Sequence, residues 1–266
     1  MPKRLLAFLI KIDKRQRMVA AVGITLVSQM IMTLYPFGQV IWFIPLMGIL
    51  VYIATYVALL EDVEHIEFIT LFVLPVYFVM VFLLFFYLLP TRWLTRIPYM
   101  LVLSIVLYAI LLCENIFNVG VEKSLPLYRA AYSVANFMTL LVLFFMFTVI
   151  FSFRLHFLLN AFFGGVFAWP LVFQGIWIAS PKAVLEERVY KFATIVSVML
   201  SLAILILNFM PIAPSVFAIF TVSIAYALLG IVQETVQDTV FHERIRGYIV
   251  VLAVMTVLVF LSAQWS

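Results

Sequence analysis

Cysteine occurs once, at Cys113. A single thiol excludes an internal disulfide and any metal cluster built on cysteine. Histidine is nearly as scarce, with three in 266 residues, and their spacing does not support a metal site. Charge is the larger deficit. Asp, Glu, Lys and Arg make up 11% of the chain, against roughly a quarter in an average soluble domain. Apolar residues take their place, at 67%, with 27 Phe, 12 Tyr and 5 Trp. A soluble fold of this size cannot hide so much apolar surface, so lipid is the expected solvent. The aromatic load suits bilayer contact and interfacial belts. Open β-structure leaves its backbone unsatisfied in lipid. The expected fold class is therefore all-α, a polytopic helical membrane bundle.

Catalytic signatures are missing too. There is no phosphate-cradling G-x-x-x-x-G-K-[ST], no G-x-G-x-x-G and no G-x-S-x-G. His242-Glu243 lacks the second histidine of the zinc protease motif. The last two hydrophobic segments hold no lysine for a retinal Schiff base. Glu186-Glu187-Arg188 has the paired glutamate of the prenyl-protein endopeptidase type. That family also needs an arginine where Lys191 stands, and a later histidine pair that this chain lacks. No catalytic residue, cofactor or bound metal is expected.

The net charge is +4, and six of the sixteen basic residues lie in the first seventeen positions. Residues 1–17 are expected to form a basic amphipathic segment. Leu5, Leu6, Phe8, Leu9 and Ile12 share one helical face, opposite Arg4, Lys11, Lys14 and Arg15. Membrane orientation explains this charge better than nucleic acid as a partner. A cleaved signal peptide fits poorly, because the following apolar run is long for one.

Residues 18–266 read as one transmembrane domain with nine hydrophobic segments, near 18–35, 40–60, 68–89, 97–118, 125–151, 157–178, 192–209, 216–232 and 248–265. Each approaches the ~20 residues a membrane helix needs. With the N-terminus in the cytoplasm, thirteen Lys and Arg fall inside and three, Arg92, Arg96 and Arg154, outside. That bias satisfies the positive-inside rule and puts the C-terminus outside. All twelve acidic residues fall inside or at the inner interface. Lipid-linked sugar transferases of the multi-helix type place catalytic acids externally, and this chain has none there.

The densest polar cluster near apolar sequence joins the fourth and fifth segments. From Tyr99 to Cys113 a helix would span only about 22 Å, against ~30 Å of hydrocarbon. It must therefore continue through Glu114 and Asn115 to Asn118. Gly120 is a natural C-terminal cap, and Ser124 and Pro126 suit the next helix start. In that helix Arg129, Tyr132, Ser133, Asn136 and Thr139 form a polar stripe, which should turn toward protein or water. Arg129 or Lys123 is expected to pair with Glu114 or Glu122. The candidate functional cluster is Glu114, Asn115, Asn118, Glu122, Arg129, Ser133 and Asn136. Its plainer reading is interhelical glue.

Gln29, Asn160, Gln174 and Asn208 read as isolated interhelical hydrogen bonders. Pro45, Pro75 and Pro170 should kink their helices. Gly164-Gly165 suits close helix packing more than a broken transporter helix. Similar runs before Pro45, Pro75 and Pro170 are weak signs of an internal repeat. The acidic loop 61–67, with His65, reads as solvated surface. Residues 233–247 read as the longest inner loop, an interfacial helix of mixed charge.

The block Glu114-Asn115-Ile116-Phe117-Asn118-Val119, continuing to Leu127-Tyr128-Arg129-Ala130-Ala131, resembles a family of uncharacterised multi-helix membrane proteins of uncultured, small-genome bacteria. The resemblance covers about a tenth of the chain. It implies a bacterial cytoplasmic membrane and brings no reaction with it. The expected function is a non-enzymatic scaffold or subunit of an envelope assembly. Its partners would be the bilayer and a membrane protein or a second copy. The alternative is a small-solute or lipid transporter using the stripe between helices four and five. A third reading is an inner-leaflet lipid-modifying enzyme using Glu114, Glu122 and His65 or His242.

Overall fold

A computed structural model describes residues 12–60, 67–90, 92–118, 126–181, 186–237 and 242–262. These residues form nine helical rods and no strand. We label them α1 (Lys14–Met32), α2 (Phe37–Leu59), α3 (Glu67–Phe86), α4 (Trp93–Asn118), α5 (Pro126–Ser152), α6 (Phe157–Trp177), α7 (Glu187–Leu207), α8 (Pro214–Val236) and α9 (His242–Ser262). Each corresponds to one expected hydrophobic segment. Proline marks several starts: Pro36 precedes α2, and Pro126 and Pro214 open α5 and α8. The missing N–H of a first-turn proline has no intrahelical partner to lose.

Several boundaries differ from the hydropathy reading. α4 does end at Asn118, but it begins at Trp93 and carries Pro98 inside it. In α2 a 3-10 turn, Ile41–Phe43, precedes Pro45. The largest correction concerns residues 233–247. α8 continues to Val236 and α9 begins at His242. Only 237–241 separate them, and the described residues hold no independent interfacial helix. Helical hydrogen bonding does not stop where hydropathy falls, and Gln233 and Glu234 stay helical because both are buried. At the N-terminus, Lys14–Arg17 belong to α1, while residues 1–11 of the expected amphipathic segment lie outside the described residues.

The chain divides into two compact units, Met1–Ala135 and Asn136–Ser266. In the first, α1 packs on α2, α2 on α3, α3 on α4, and α4 back on α1. α3 is the enclosed member, since no residue from Thr70 to Phe86 is exposed. Its Phe82 stacks on Tyr99 of α4 at 4.5 Å between ring centroids. In the second unit, α6 packs on α7 and α8, α7 on α8, and α8 on α9. The α6–α7 contact is the most extensive, and Gly164 and Gly165 lie in it against Ser197, Ser201 and Ile204. This bears out the close-packing reading of the glycine pair. Small residues let two backbones approach, which is the main attraction available between helices in lipid.

Candidate functional site

In the first unit the polar interior is built on α1. Arg17, Ala21, Thr25, Gln29 and Thr33 recur every fourth residue, and all are buried. Fourfold spacing keeps them on one slowly turning face. Gln29 donates through Nε2 to the Tyr99 hydroxyl of α4 and to the Val79 carbonyl of α3 at 3.4 Å. Arg96, just inside α4, donates to the Thr33 carbonyl at 3.0 Å and lies over the Trp93 ring at 4.7 Å. Gln29 therefore ties three helices at the end where α1 finishes and α4 begins.

The opposite end of this unit holds the acid. Glu114 has no accessible surface, and Asn118, one turn on, is 4% exposed. Asn118 donates to the Leu59 carbonyl at the end of α2, at 3.4 Å. Arg17 is 2% exposed, near the start of α1. An ionised side chain sealed this far from water must be compensated locally. Asn115 is half-buried, with an Oδ1 that takes no hydrogen bond among the described residues.

The α5 stripe separates into two parts. Arg129 and Ser133 are exposed, and Ser133 turns back to the Arg129 carbonyl at 3.0 Å. Tyr132 and Asn136 are half-buried, and Thr139 is buried. At about 100° per residue these positions spread over roughly a third of the helix circumference. One edge thus faces outward while the other packs. Glu122 and Lys123 lie outside the described residues, as do Gly120 and Ser124.

Asn136 belongs to the second unit and accepts there from Gln233 Nε2 of α8 at 2.8 Å. Gln233 also donates to the Gly175 carbonyl of α6 at 2.8 Å. Gln237 donates to the Ala179 carbonyl, just past α6, at 3.1 Å. Between them sits Glu234, 5% exposed. Its Oε1 accepts from the Tyr248 hydroxyl at 3.1 Å and lies 3.6 Å from Arg244, both on α9. Its buried Oε2 takes no hydrogen bond among the described residues. Asn160 and Asn208, read as isolated, bond each other at 3.0 Å. We expect Gln233→Leu to lower stability by about 1 kcal/mol, near the measured range for interhelical hydrogen bonds in membranes. Thermal unfolding in detergent measures it.

Two charged residues therefore escaped the sequence reading. Arg17 reads as an orientation signal, and Glu234 as part of a loop. The signal that finds Arg17 is the fourfold spacing to Thr25, Gln29 and Thr33. Glu234 carries no comparable signal, because its burial depends on α9 beginning early enough to bring Tyr248 and Arg244 to it.

Two grooves, of about 420 and 360 Å³, lie between α1 and α4 and between α6 and α7. Both have mainly apolar linings, and neither includes Glu114, Asn136 or Glu234. No group of three or more metal-ligating side chains occurs among the described residues.

Together these features define a polytopic, apolar helical bundle. Among the described residues, seven helices, α2 and α4–α9, are long and apolar enough to cross a membrane. The chain belongs to DUF5656, a family of proteins of unknown function, which it matches over residues 39–262. No curated protein and no solved structure matches it.

Proposed function

We propose that this protein is a non-enzymatic integral membrane scaffold, a subunit of an envelope assembly in a bacterial cytoplasmic membrane. Its N-terminus lies inside and its C-terminus outside. The observation that carries this reading is how the amides at the helix contacts are used. Gln29, Asn118, Gln233 and Gln237 each bond from one helix to another or to its last carbonyls. Asn136, the residue a midplane transport site would need, is held by Gln233. Polar side chains spent on helix–helix bonds fix a shape and leave little to recognise a solute. In this reading the cluster Glu114, Asn115, Asn118, Glu122, Arg129, Ser133 and Asn136 maintains helix packing, with Arg129 and Ser133 at its outer edge. The partner is a membrane protein or a second copy, within the bilayer.

A transporter is the second reading. Glu234 favours it, because a buried carboxylate oxygen without a hydrogen bond is an acceptor available to a passing cation or proton.

Substituted-cysteine accessibility separates the two readings. On a Cys113→Ala background, single cysteines replace Ser133, Asn136 and Glu234. A scaffold predicts that the Asn136 and Glu234 positions stay inert to a small water-soluble thiol reagent in membranes, while Ser133 serves as an exposed reference. Reaction at both the half-buried Asn136 and the buried Glu234 positions would replace the scaffold with the transporter.

A further inference from the structure

We propose that the chain is a tandem duplication of a four-helix module with a period of 120 residues, and that Glu114 and Glu234 are one position present twice. The first module is α1–α4 and the second α5–α8. This goes beyond the scaffold reading and does not depend on it.

Three independent features repeat. The first is the set of boundaries. α1 ends at Met32 and α5 at Ser152, while α2 starts at Phe37 and α6 at Phe157. α3 starts at Glu67 and α7 at Glu187, while α4 starts at Trp93 and α8, one residue out of register, at Pro214. The links 33–36 and 153–156 are equal in length, as are 87–92 and 208–213. Even spacing of helices alone would not reproduce a short link and a longer one in the same order.

The second feature is packing. In the first module α2 touches α3, α3 touches α4, and α2 touches α4; in the second, α6, α7 and α8 make the same three contacts. The compact units divide within α5, at Ala135, and so do not coincide with the junction between α4 and α5.

The third feature is polar and residue-specific. Each module buries one carboxylate near the end of its fourth helix, Glu114 and Glu234, 120 residues apart. One turn or less further on, an amide ties that helix to a carbonyl at the end of the second. Asn118 donates to Leu59 and Gln237 to Ala179; those two carbonyls are 120 residues apart and the two amides 119, with Asn118 buried and Gln237 exposed. Tyrosine stands 14 residues after each acid, at Tyr128 and Tyr248. Tyr128 packs edge-on against Phe117, whereas Tyr248 reaches Glu234 itself. The prolines are not part of the repeat, since Pro45 and Pro170 stand five residues out of register.

The site is tested by paired near-isosteric substitutions in the full chain, read as thermal unfolding in detergent. Glu114→Gln is compared with Glu234→Gln, and Asn118→Leu with Gln237→Leu. Equivalence predicts that the members of each pair shift Tm in the same direction and agree within about 3 °C, roughly the effect of 1 kcal/mol in a protein this large. A larger disagreement, opposite signs, or loss of folding in one member alone overturns the equivalence of the acids. The module is tested by a chain in which residues 157–238 replace 37–118. Elution as a single species supports duplication. Aggregation of this chain, with the paired shifts also unequal, overturns it. Aggregation with matched pairs confines the duplication to the helix ends that carry the acids and amides.

Discussion

Gly165→Leu is expected to abolish accumulation of folded protein. A Cβ at position 165 would stand 2.9 Å from Ser201 Cβ and 3.2 Å from the Ser197 carbonyl oxygen on α7. The second contact is backbone, so no side chain can rotate away to relieve it. Ser201 is itself committed, donating to the Ala161 carbonyl of α6 at 2.7 Å. A leucine must therefore push α6 and α7 apart along the most extensive helix contact of the second unit. The expected cost lies at or above the upper end of the ~1–3 kcal/mol typical of overpacking. Gly23→Ala is the control, because a Cβ there meets nothing within 4 Å. It should be neutral or stabilising by up to about 1 kcal/mol, since alanine is the better helix former. Fluorescence-detected size exclusion of a tagged chain reads both. A monodisperse Gly165→Leu peak at the parent's yield would sink the packing argument.

Glu114→Lys should be equally damaging, for an electrostatic reason. The residue has no accessible surface, and the same unit already buries the Arg17 cation. Lysine would add a second cation to the buried interior of this unit. A buried charge left without a partner costs about 3–5 kcal/mol, which is comparable to the whole stability of a marginal domain. Glu114→Gln keeps the shape and adds no cation, so its loss should be much smaller. The ordering parent, then Gln, then Lys should appear in detergent melting curves. A lysine variant that melts with the glutamine variant would mean that the carboxylate carries no electrostatic role.

Much of this architecture was legible before any coordinates. The end of α4 at Asn118 followed from arithmetic, because the apolar run before Cys113 was too short to cross hydrocarbon. The nine segments followed from hydropathy. The boundaries at α7, α8 and α9 did not, since a hydropathy window stops at the first charges while a helix runs on if those charges are bonded inside the unit. Arg17 failed for the same reason, its charge reading as topology rather than burial. The α5 stripe was visible as a pattern, but which edge faced outward depended on helices far away in sequence. The repeat was sought in proline-containing runs. It resides instead in link lengths and in the acid and amide at the helix ends, which composition does not reveal.

α3 has one further consequence, which concerns the order of synthesis. In the finished chain nothing between Thr70 and Phe86 is exposed. Yet α4, which covers one of its sides, is made after it. In the membrane protein proposed above, a nascent α3 would first sit among acyl chains and only later among neighbours. Phe72, Phe78, Phe82 and Phe86 suit both surroundings, as greasy anchors early and as buried packing later. A polar replacement at Phe78 would therefore act twice, once on the emerging segment and once on the completed unit, and pulse-labelling during synthesis would separate the two effects in time.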